Sequence, residues 1–482
     1  MALAPLSRMA AVELVEDDHS ADGVTRDPDS TGDSPDHGGP VRRSSSRGAA
    51  RAALRWWPVA VPVVIALAVG SALSAQNDRE RAERLAAVPG LMRPLDGAPV
   101  ELWRHAIDAG DTVLAAGGAL AVVSAGGGSW RVASYDARTG SERWATTLAA
   151  GSQVAAEAQG PDCPSAGADV GRYLVCLVPM PSPVYADDAD ATALARVVAL
   201  DSADGSVAGE WEVADEVSLI ERRGDDVVLV TEDSDGYFRA ALRDPLTGAA
   251  VWEYRSRQSI SSDVYVSRPT AVVTAEHVLL GGYGTAVLDV QDGAELYWAT
   301  NLAFVLARSD GERFGTWSTA RGGALHGATG RRLRDMPSLP VRPAVDDGTA
   351  DDIVLLDAGR EISAAAAFSG EPLWTLGTDL DPTVIVDGQM LLAAPGRQIS
   401  LDAHSGEVAW DVETDLDLPP VTDGALVLTA ELRADGAAVL VARGLADGVR
   451  YWSAPLPPGT TLVSVEGGNL LAWTEHALVV LG

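Results

Sequence analysis

Residues 134–144 read SYDARTGSERW, residues 242–252 read LRDPLTGAAVW and residues 400–410 read SLDAHSGEVAW. Each stretch has an Asp, then a Thr-Gly or Ser-Gly pair that begins three residues later, and a Trp four residues after the Gly. An Asp side chain can bond backbone N–H groups in a turn, and Gly adopts turn conformations that are closed to other residues. The stretch therefore predicts a tight turn between two strands, the second of which carries the Trp.

Weaker copies of this stretch continue to the end of the chain. Residues 364–374 and 442–452 lack the Asp, two copies have one or two extra residues before the Trp, and one has His326 and Arg334 in place of the Asp and the Trp. Apart from a first interval of 65 residues, the turn glycines are 36 to 45 residues apart, which is the length of a four-stranded propeller blade. These glycines are Gly140, Gly205, Gly248, Gly293, Gly330, Gly370, Gly406 and Gly448.

The predicted fold is an all-β propeller of about eight four-stranded blades, with a range of seven to nine. A Trp at the same place in successive sheets can pack one sheet against the next, because its ring buries a large apolar area. Residues 100–105 look like an outer strand without inner strands before it, and residues 461–481 supply three strands without a Trp strand after them. The N-terminal strand can therefore complete the last blade and leave the ring without an open edge.

This pattern resembles the PQQ-type β-propeller repeat, in which A-x-D-x-x-T-G-x-x-x-W is the tryptophan-docking motif and the blades are WD40-like in length. The resemblance covers about residues 95–482. It implies architecture rather than activity, because the family includes quinoprotein dehydrogenases and also non-catalytic scaffolds such as outer-membrane assembly lipoproteins. The positions that it assigns to structural docking are Asp136, Gly140, Trp144, Asp244, Gly248, Trp252, Gly370, Trp374, Asp402, Gly406, Trp410, Gly448 and Trp452.

The catalytic members of this family have cofactor-site residues that the sequence does not match. PQQ-dependent alcohol dehydrogenases carry adjacent cysteines near the cofactor and a calcium site of Glu, Asn and Asp with a catalytic Asp. Here Cys163 and Cys176 are 13 residues apart, and the repeat region contains Asn301 and Asn469 as its asparagines. We therefore expect no catalytic residues, no PQQ and no calcium. A dehydrogenase that uses PQQ or another cofactor is the alternative.

Other polar groups also favour an ordinary structural role. Asp187, Asp188 and Asp190 offer oxygen ligands of the kind that calcium prefers, but they lack EF-hand spacing, so a solvated acidic loop is expected. His326 and His404 lie in repeat turns, where solvated side chains are expected.

The N-terminal part of the chain predicts a membrane anchor. Residues 1–55 are polar and are expected to form a disordered cytoplasmic tail. Residues 56–75, WWPVAVPVVIALAVGSALSA, carry no charge and are long enough for one transmembrane helix. Residues 76–94 are expected to be a stalk or linker before the propeller domain at residues 95–482. A cleaved signal peptide is the alternative, but a leader of this length before the apolar run argues against it.

The topology follows from the arginines beside the apolar run. Five arginines and no acid precede it from Arg42 to Arg55, which places the N-terminus in the cytoplasm and the propeller outside, on a single-pass anchor in the cell membrane. Two nearby cysteines in that compartment are expected to form a disulfide between Cys163 and Cys176. The alternative is a pair of free thiols, with Cys176 buried in a strand.

Charge excludes one class of function. The net charge is -32 and the basic residues are all arginine, without a cluster in the repeat region, so nucleic-acid binding is not expected. The expected function is a non-enzymatic protein-interaction or ligand-binding scaffold with an envelope or cell-wall protein as partner. A further alternative is a sensor whose tail recruits a cytoplasmic partner.

Overall fold

The computed structural model describes residues 81–482 with short gaps. The predicted tail, the predicted transmembrane helix and the acidic cluster at residues 187–190 lie outside the described residues. Within the described part of the chain, no helix is both long and apolar enough to cross a membrane. The gaps are residues 82, 87, 109, 117, 127–128, 151–159, 165–170, 181–194, 261–269, 283, 301–303, 308–312, 319–321 and 417.

The first part of the described chain forms strands that are rich in Val, Ala and Leu and end at Asp or Gly turns. These strands are β1 Glu101–Ala106, β2 Thr112–Ala116, β3 Ala119–Gly126, β4 Ser129–Asp136, β5 Glu142–Ala150, β6 Tyr173–Pro179, β7 Ala195–Asp201, β8 Val207–Val213, β9 Glu216–Arg223, β10 Asp226–Glu232, β11 Phe238–Arg243 and β12 Ala250–Arg255.

The middle part continues in the same way. Its strands are β13 Thr270–Val273, β14 His277–Gly281, β15 Gly284–Asp289, β16 Glu295–Thr300, β17 Phe304–Ala307, β18 Arg313–Ser318, β19 Gly322–Gly327, β20 Arg332–Met336, β21 Leu339–Val341, β22 Val345–Asp346, β23 Ile353–Asp357, β24 Ile362–Ala366 and β25 Pro372–Leu376.

The last part completes the repeat. Its strands are β26 Asp381–Val386, β27 Gln389–Ala394, β28 Arg397–Asp402, β29 Val408–Glu413, β30 Val421–Thr422, β31 Leu426–Leu432, β32 Ala438–Gly444, β33 Arg450–Pro455, β34 Thr460–Glu466, β35 Asn469–Thr474 and β36 Ala477–Leu481.

The strands of the described residues pair into nine sheets, which are the blades of a β-propeller. Blades 1 to 5 are β2–β5, β6–β8, β9–β12, β13–β16 and β17–β20. Blade 6 contains β21 and β23–β25, blade 7 contains β22 and β26–β29, and blade 8 contains β30–β33. Blade 9 has the order β1-β36-β35-β34 and thus joins the two ends of the described chain.

The count of nine corrects the central prediction of eight and lies within the predicted range. The composite blade is complete, because β1 pairs antiparallel with β36 from Glu101 opposite Leu481 to Ala106 opposite Ala477. The weak copy around Gly330 also belongs to a complete four-stranded blade. Two blades depart from four strands: blade 2 has three, and blade 7 has a fifth because β22 pairs parallel with β26.

The hydrophobic core is divided among the junctions between neighbouring blades. Within the described residues, buried apolar side chains form nine clusters, and each cluster joins two adjacent blades. The cluster between blades 9 and 1, for example, contains Leu120, Val122, Leu471 and Val480. Burial of apolar area therefore holds each blade to two neighbours and closes the ring.

The described residues among 81–94 pack on the ring, and we call them the strap. Leu85, Leu91 and Met92 are buried, the first two against side chains of blades 7 and 8. The backbone N–H of Met92 donates to the carbonyl of Thr422 at 2.9 Å, and that of Arg93 donates to the carbonyl of Gly468 at 2.9 Å. The strap is thus bonded to the inner strand of blade 8 and to the first turn of blade 9. A stalk or linker that only connects two parts of the chain would not need these contacts.

Candidate functional site

The repeat residues form a docking tier between successive blades. Trp144 of blade 1 packs its ring on Gly205 of blade 2 and donates its indole N–H to the carbonyl of Ser202 at 3.0 Å. Trp410 of blade 7 packs in the same way on Gly448 of blade 8 and donates to the carbonyl of Leu445 at 2.8 Å. Each Trp therefore meets the turn of the next blade, not the turn of its own stretch.

Four further docking pairs have this geometry. In each pair the indole N–H donates to the carbonyl of the residue that follows the Asp position, at 2.8 to 3.1 Å. The ring covers a Gly with positive φ, where a Cβ would lie within 2.5 to 2.8 Å of a ring carbon. These pairs are Trp103 on Gly140, Trp211 on Gly248, Trp252 on Gly293, and Trp374 on Gly406. Trp452 instead lies against the apolar cluster between blades 8 and 9.

The Asp of each strong copy holds the turn that the Trp ring of the preceding blade covers. An oxygen of Asp136 accepts from the backbone N–H groups of Arg138 and Thr139 and from the Thr139 hydroxyl. Arg143, which donates to its other oxygen at 2.8 Å, and these bonds hold the pKa of Asp136 far below its usual range. Asp244 and Asp402 accept the same three bonds within their own turns, which lower the pKa of each carboxyl.

At two junctions, a side chain other than Trp occupies the docking position. At the junction of blades 4 and 5, Tyr297 lies four residues after Gly293, pairs with Val287 at the register position of a docking Trp, and contacts His326 with ring centroids 4.7 Å apart. At the next junction, Arg334 lies against Gly370 in place of a Trp.

The prediction that His326 is solvated is wrong. Its ring is buried, stacks on Phe314 at 4.9 Å, and has Nδ1 3.1 Å from the carbonyl of Gly330 and Nε2 3.1 Å from the hydroxyl of Thr316. The turn of blade 5 is one residue shorter, so Gly327 takes the Asp position and His326 turns inward. Burial lowers the pKa of His326. His404, in contrast, is exposed and has its Nε2 2.9 Å from Asp352.

Cys163 and Cys176 are joined by a disulfide with an S–S distance of 2.05 Å. Asp162 and Leu177, the adjacent pair of residues, exchange two backbone hydrogen bonds at 2.9 and 2.7 Å in an isolated antiparallel bridge. Residues 160–164 therefore stand where the innermost strand of blade 2 would be, and the disulfide fastens them to β6.

A cavity of about 720 Å³ lies between the strap and the inner ends of blades 8, 9 and 1. The first turns of these blades form one wall, and the strap forms the other with Leu85, Val88 and Leu91. In a meander the first and third turns of a sheet lie at the same end, so this cavity opens on the face of the ring that carries the docking turns. We call it the strap cavity.

Arginines on the strap fix this wall. Arg81 and Arg84 donate to the two carboxylate oxygens of Asp387, at 2.6 and 2.5 Å. Asp387 has a positive φ of 49° in the first turn of blade 7, and its backbone N–H donates to Asp347 at 2.9 Å. Exposed ion pairs contribute little individually, so the buried apolar residues of the strap supply most of its attachment.

Glu466, which ends the innermost strand of blade 9, lines the strap cavity. It is half-buried, and burial raises the pKa of its carboxyl to about 7. A group that titrates near neutrality inside a cavity is a candidate for ligand contact. Sequence reasoning missed Glu466, because its burial depends on the strap and on neighbouring blades that are distant from it in the chain.

The charged groups beside Glu466 have partners within the protein. Arg93 donates to the side-chain oxygen of Asn469 at 3.2 Å and to the carbonyl of Gly467 at 3.1 Å. Asp423 accepts from the backbone N–H groups of its own turn at 2.8 and 2.7 Å. Among the described residues, the cavity therefore presents one acid without a protein partner beside several polar groups that have partners.

Asn469 and the two cysteines do not fit the calcium and quinone site that the family resemblance implies for its catalytic members. The side-chain oxygen of Asn469 is engaged by the Arg93 guanidinium, whose charge would repel a divalent cation. Cys176 lies on β6 and is bonded to Cys163 in the inner segment at residues 160–164, so the two are not the adjacent pair of the dehydrogenases. In the described part of the chain, no three His, Cys, Asp or Glu side chains are grouped to hold a metal ion.

Comparisons with known proteins agree with a propeller of PQQ-like repeats. Residues 317–472 match a family model described as outer membrane protein assembly factor BamB. A search of curated proteins finds no match. The matched stretch runs from blade 5 into blade 9 and covers about a third of the chain.

Three solved structures illustrate the fold-level likeness. BamB from Moraxella catarrhalis is 18% identical over 80% of this chain and 99% of that chain, with a TM-score of 0.43. Quinohemoprotein alcohol dehydrogenase ADHIIG from Pseudomonas putida HK5 is 12% identical over 80% and 76%, with a TM-score of 0.41. A eukaryotic initiation factor is 11% identical over 76% and 90%, with a TM-score of 0.47. At these identities and scores, none of them assigns an activity to this chain.

Proposed function

We propose that this chain is a membrane-tethered, extracytoplasmic β-propeller that acts as a non-enzymatic scaffold for protein interaction or ligand binding. The apolar run at residues 56–75 supports the tether. The disulfide between Cys163 and Cys176 supports an oxidising compartment outside the cytoplasm, because such bonds are rare inside it.

One observation carries the scaffold function. On five outermost strands, the residue just before the docking position is a large apolar side chain that remains exposed: Leu102, Val251, Leu333, Leu373 and Tyr451. Tyr451 is 60% exposed and Val251 is 61% exposed. Each of these strands also has one edge without a neighbour in the described sheets. An open strand edge with apolar side chains is a surface on which a partner can add a strand.

The test of the partner surface is site-specific photo-crosslinking in intact cells. A photoreactive residue at Tyr451 is expected to capture a discrete envelope partner, and the same residue at exposed Arg138, on a docking turn, serves as the matched control. Equal capture at both positions, or none at Tyr451, would contradict the partner surface.

A second experiment tests the topology and the enzymatic alternative. A Cys placed at Tyr451 is expected to react with an impermeant maleimide on intact cells or spheroplasts, whereas a Cys at Ser45 should react only after lysis. Titration of the full chain with PQQ and calcium, followed by dye-linked alcohol oxidation, is expected to give no turnover. Saturable turnover would make the chain a tethered quinoprotein instead.

A further inference from the structure

We propose that the strap cavity binds a small organic amine, with its protonated amino group at the Glu466 carboxylate and its apolar body against the strap. This inference rests on the proposed function in treating the propeller as a ligand-binding module. It adds the chemical class of the ligand and the place where it binds.

The first argument is the state of the Glu466 carboxyl group. Within the described residues it has no hydrogen-bond or ion-pair partner, and burial is the cause that raises its pKa to about 7. A half-buried carboxyl group without a partner is costly when charged. A bound ammonium group would supply both the opposite charge and hydrogen-bond donors, and it would lower that pKa again.

The second argument is that the other charges on the cavity wall already have partners. Arg81 is paired with Asp387, and Arg93 is bonded to neutral oxygens of blade 9. Asp423 is held by the N–H groups of its turn. In the described part of the cavity wall, a ligand cation therefore finds one available carboxylate, and the net charge of -32 raises the local concentration of cations.

The third argument is the shape and lining of the cavity. Its volume of about 720 Å³ lies within the range of about 300–1,000 Å³ that is usual for small-molecule sites. The walls of the cavity are mainly apolar and include Leu85, Val88, Ala119 and Val465. An amine with a ring or a short alkyl chain matches this combination of one acid and an apolar wall.

The test uses benzylamine as the probe and the detergent-solubilised full chain as the protein. Calorimetric titration at pH 7 in phosphate and in MOPS, which is not a primary amine, measures affinity and proton release together. Binding is expected to release about half a proton, because a carboxyl group with a pKa near 7 is half protonated before the cation binds.

Two substitutions separate charge from volume. Glu466→Gln is expected to weaken benzylamine binding at least tenfold and to abolish the proton release. The matched control is Glu475→Gln, which changes an exposed acid in the same blade and should bind as the wild type does. Ala86→Trp, at an exposed strap residue that lines the cavity, is expected to weaken binding by filling the space without changing charge.

Several results would overturn the proposal. One is the absence of saturable heat up to about 10 mM benzylamine, because weaker binding would fall below the affinity that a specific site needs. The others are an affinity that is unchanged in Glu466→Gln and an affinity that is unchanged in Ala86→Trp. The partner capture at Tyr451 should persist in Glu466→Gln. Absence of benzylamine binding to the wild type, with partner capture at Tyr451 intact, would therefore reject the ligand proposal and leave the scaffold function standing.

Discussion

At Gly406 the turn of blade 7 is pressed against a ring from blade 6. The backbone φ is +71°, and an added Cβ would lie 2.5 Å from a carbon of Trp374. Gly396, in the same blade, has a φ of +85°, but a Cβ added there would lie 3.8 Å from the nearest atom, a backbone oxygen. Both glycines therefore need a positive φ, but only Gly406 has a Trp ring packed against it.

We expect Gly406→Ala to lower the free energy of unfolding by about 2–4 kcal/mol, because it adds a clash with Trp374 to the left-handed backbone cost. Gly396→Ala should lower it by about 1–2 kcal/mol, since it incurs the backbone cost alone. Urea denaturation of both variants measures the difference. Equal losses would show that the docking contact contributes nothing to stability.

Glu466 provides a prediction for pH. Its folded pKa of about 7 is raised above the ordinary value of 4.5, so between these values the folded state holds a proton that the unfolded state loses. Its contribution is therefore most favourable below about pH 4.5, weakens as pH rises, and is fully unfavourable above about pH 7.

Glu466→Gln is expected to stabilise the protein at pH 8 by about 1 kcal/mol, a value reduced for partial solvent screening, and to change its stability little at pH 5. Thermal unfolding at the two pH values measures the effect. Asp162, Glu221 and Asp226 also have raised pKa values, so the variant must be compared with the wild type at each pH. The same stabilisation at both pH values would contradict the assignment.

At the scale of elements, blade 2 depends on a covalent bond where other blades have a paired strand. The inner segment at residues 160–164 forms one isolated bridge to β6, beside the disulfide from Cys163 to Cys176. The double variant Cys163→Ser with Cys176→Ser should lose about 2–3 kcal/mol, as expected for a closed loop of this length.

Hydrogen exchange should locate that loss. The amides of Asp162 and Leu177, which form the bridge, are expected to lose protection in the double variant, while the amides of β10 and β11 in blade 3 keep theirs. Uniform loss across all blades would mean that the disulfide stabilises the whole ring and not its own segment.

The strap is the second element that the contacts single out. Met92 is 3% exposed, whereas Leu102 on the outer strand β1 is 43% exposed. Met92→Ala is therefore expected to cost about 2–4 kcal/mol by leaving a cavity beneath the strap, and Leu102→Ala should cost less than about 1 kcal/mol. Chemical denaturation decides between them, and a loss of less than 1 kcal/mol for Met92→Ala would mean that the strap is not part of the folded unit.

At the scale of the whole molecule, the ring is closed by the pairing of β1 with β36. His105 is the fifth of the six residues of β1, opposite Leu478, and its ring contacts Tyr135 of blade 1. His105→Pro is expected to open the ring, because Pro lacks the N–H group and does not fit a paired strand. His105→Ala removes the same ring but keeps the N–H, and it is the matched control.

Opening should change the cooperativity of unfolding as well as its free energy. We expect urea transitions of His105→Pro followed by tryptophan fluorescence and by circular dichroism to separate, whereas those of His105→Ala should coincide. Coinciding transitions and equal midpoints in the two variants would show that closure by β1 is not needed for a cooperative ring.

The sequence by itself determined the propeller, the approximate length of each blade, most of the docking residues and the origin of the closing strand. These features follow from local chemistry that repeats: an Asp that bonds its own turn, a Gly with positive φ and a Trp at a constant distance. The copies with an altered interval were harder to interpret, since Tyr297 takes the docking position and Trp298 does not. The predicted membrane anchor remains a prediction.

Only the tertiary structure decided the count of nine blades, the burial of His326, the docking of the strap and the cavity at Glu466. Each of these depends on contacts between residues that are far apart in the chain, such as Met92 with Thr422 and Arg93 with Gly468. Such contacts leave no periodic signal in the sequence, because they occur once and do not recur in every blade. Burial of Glu466 in the strap cavity, which the strap and blades 1, 8 and 9 line, raises its pKa.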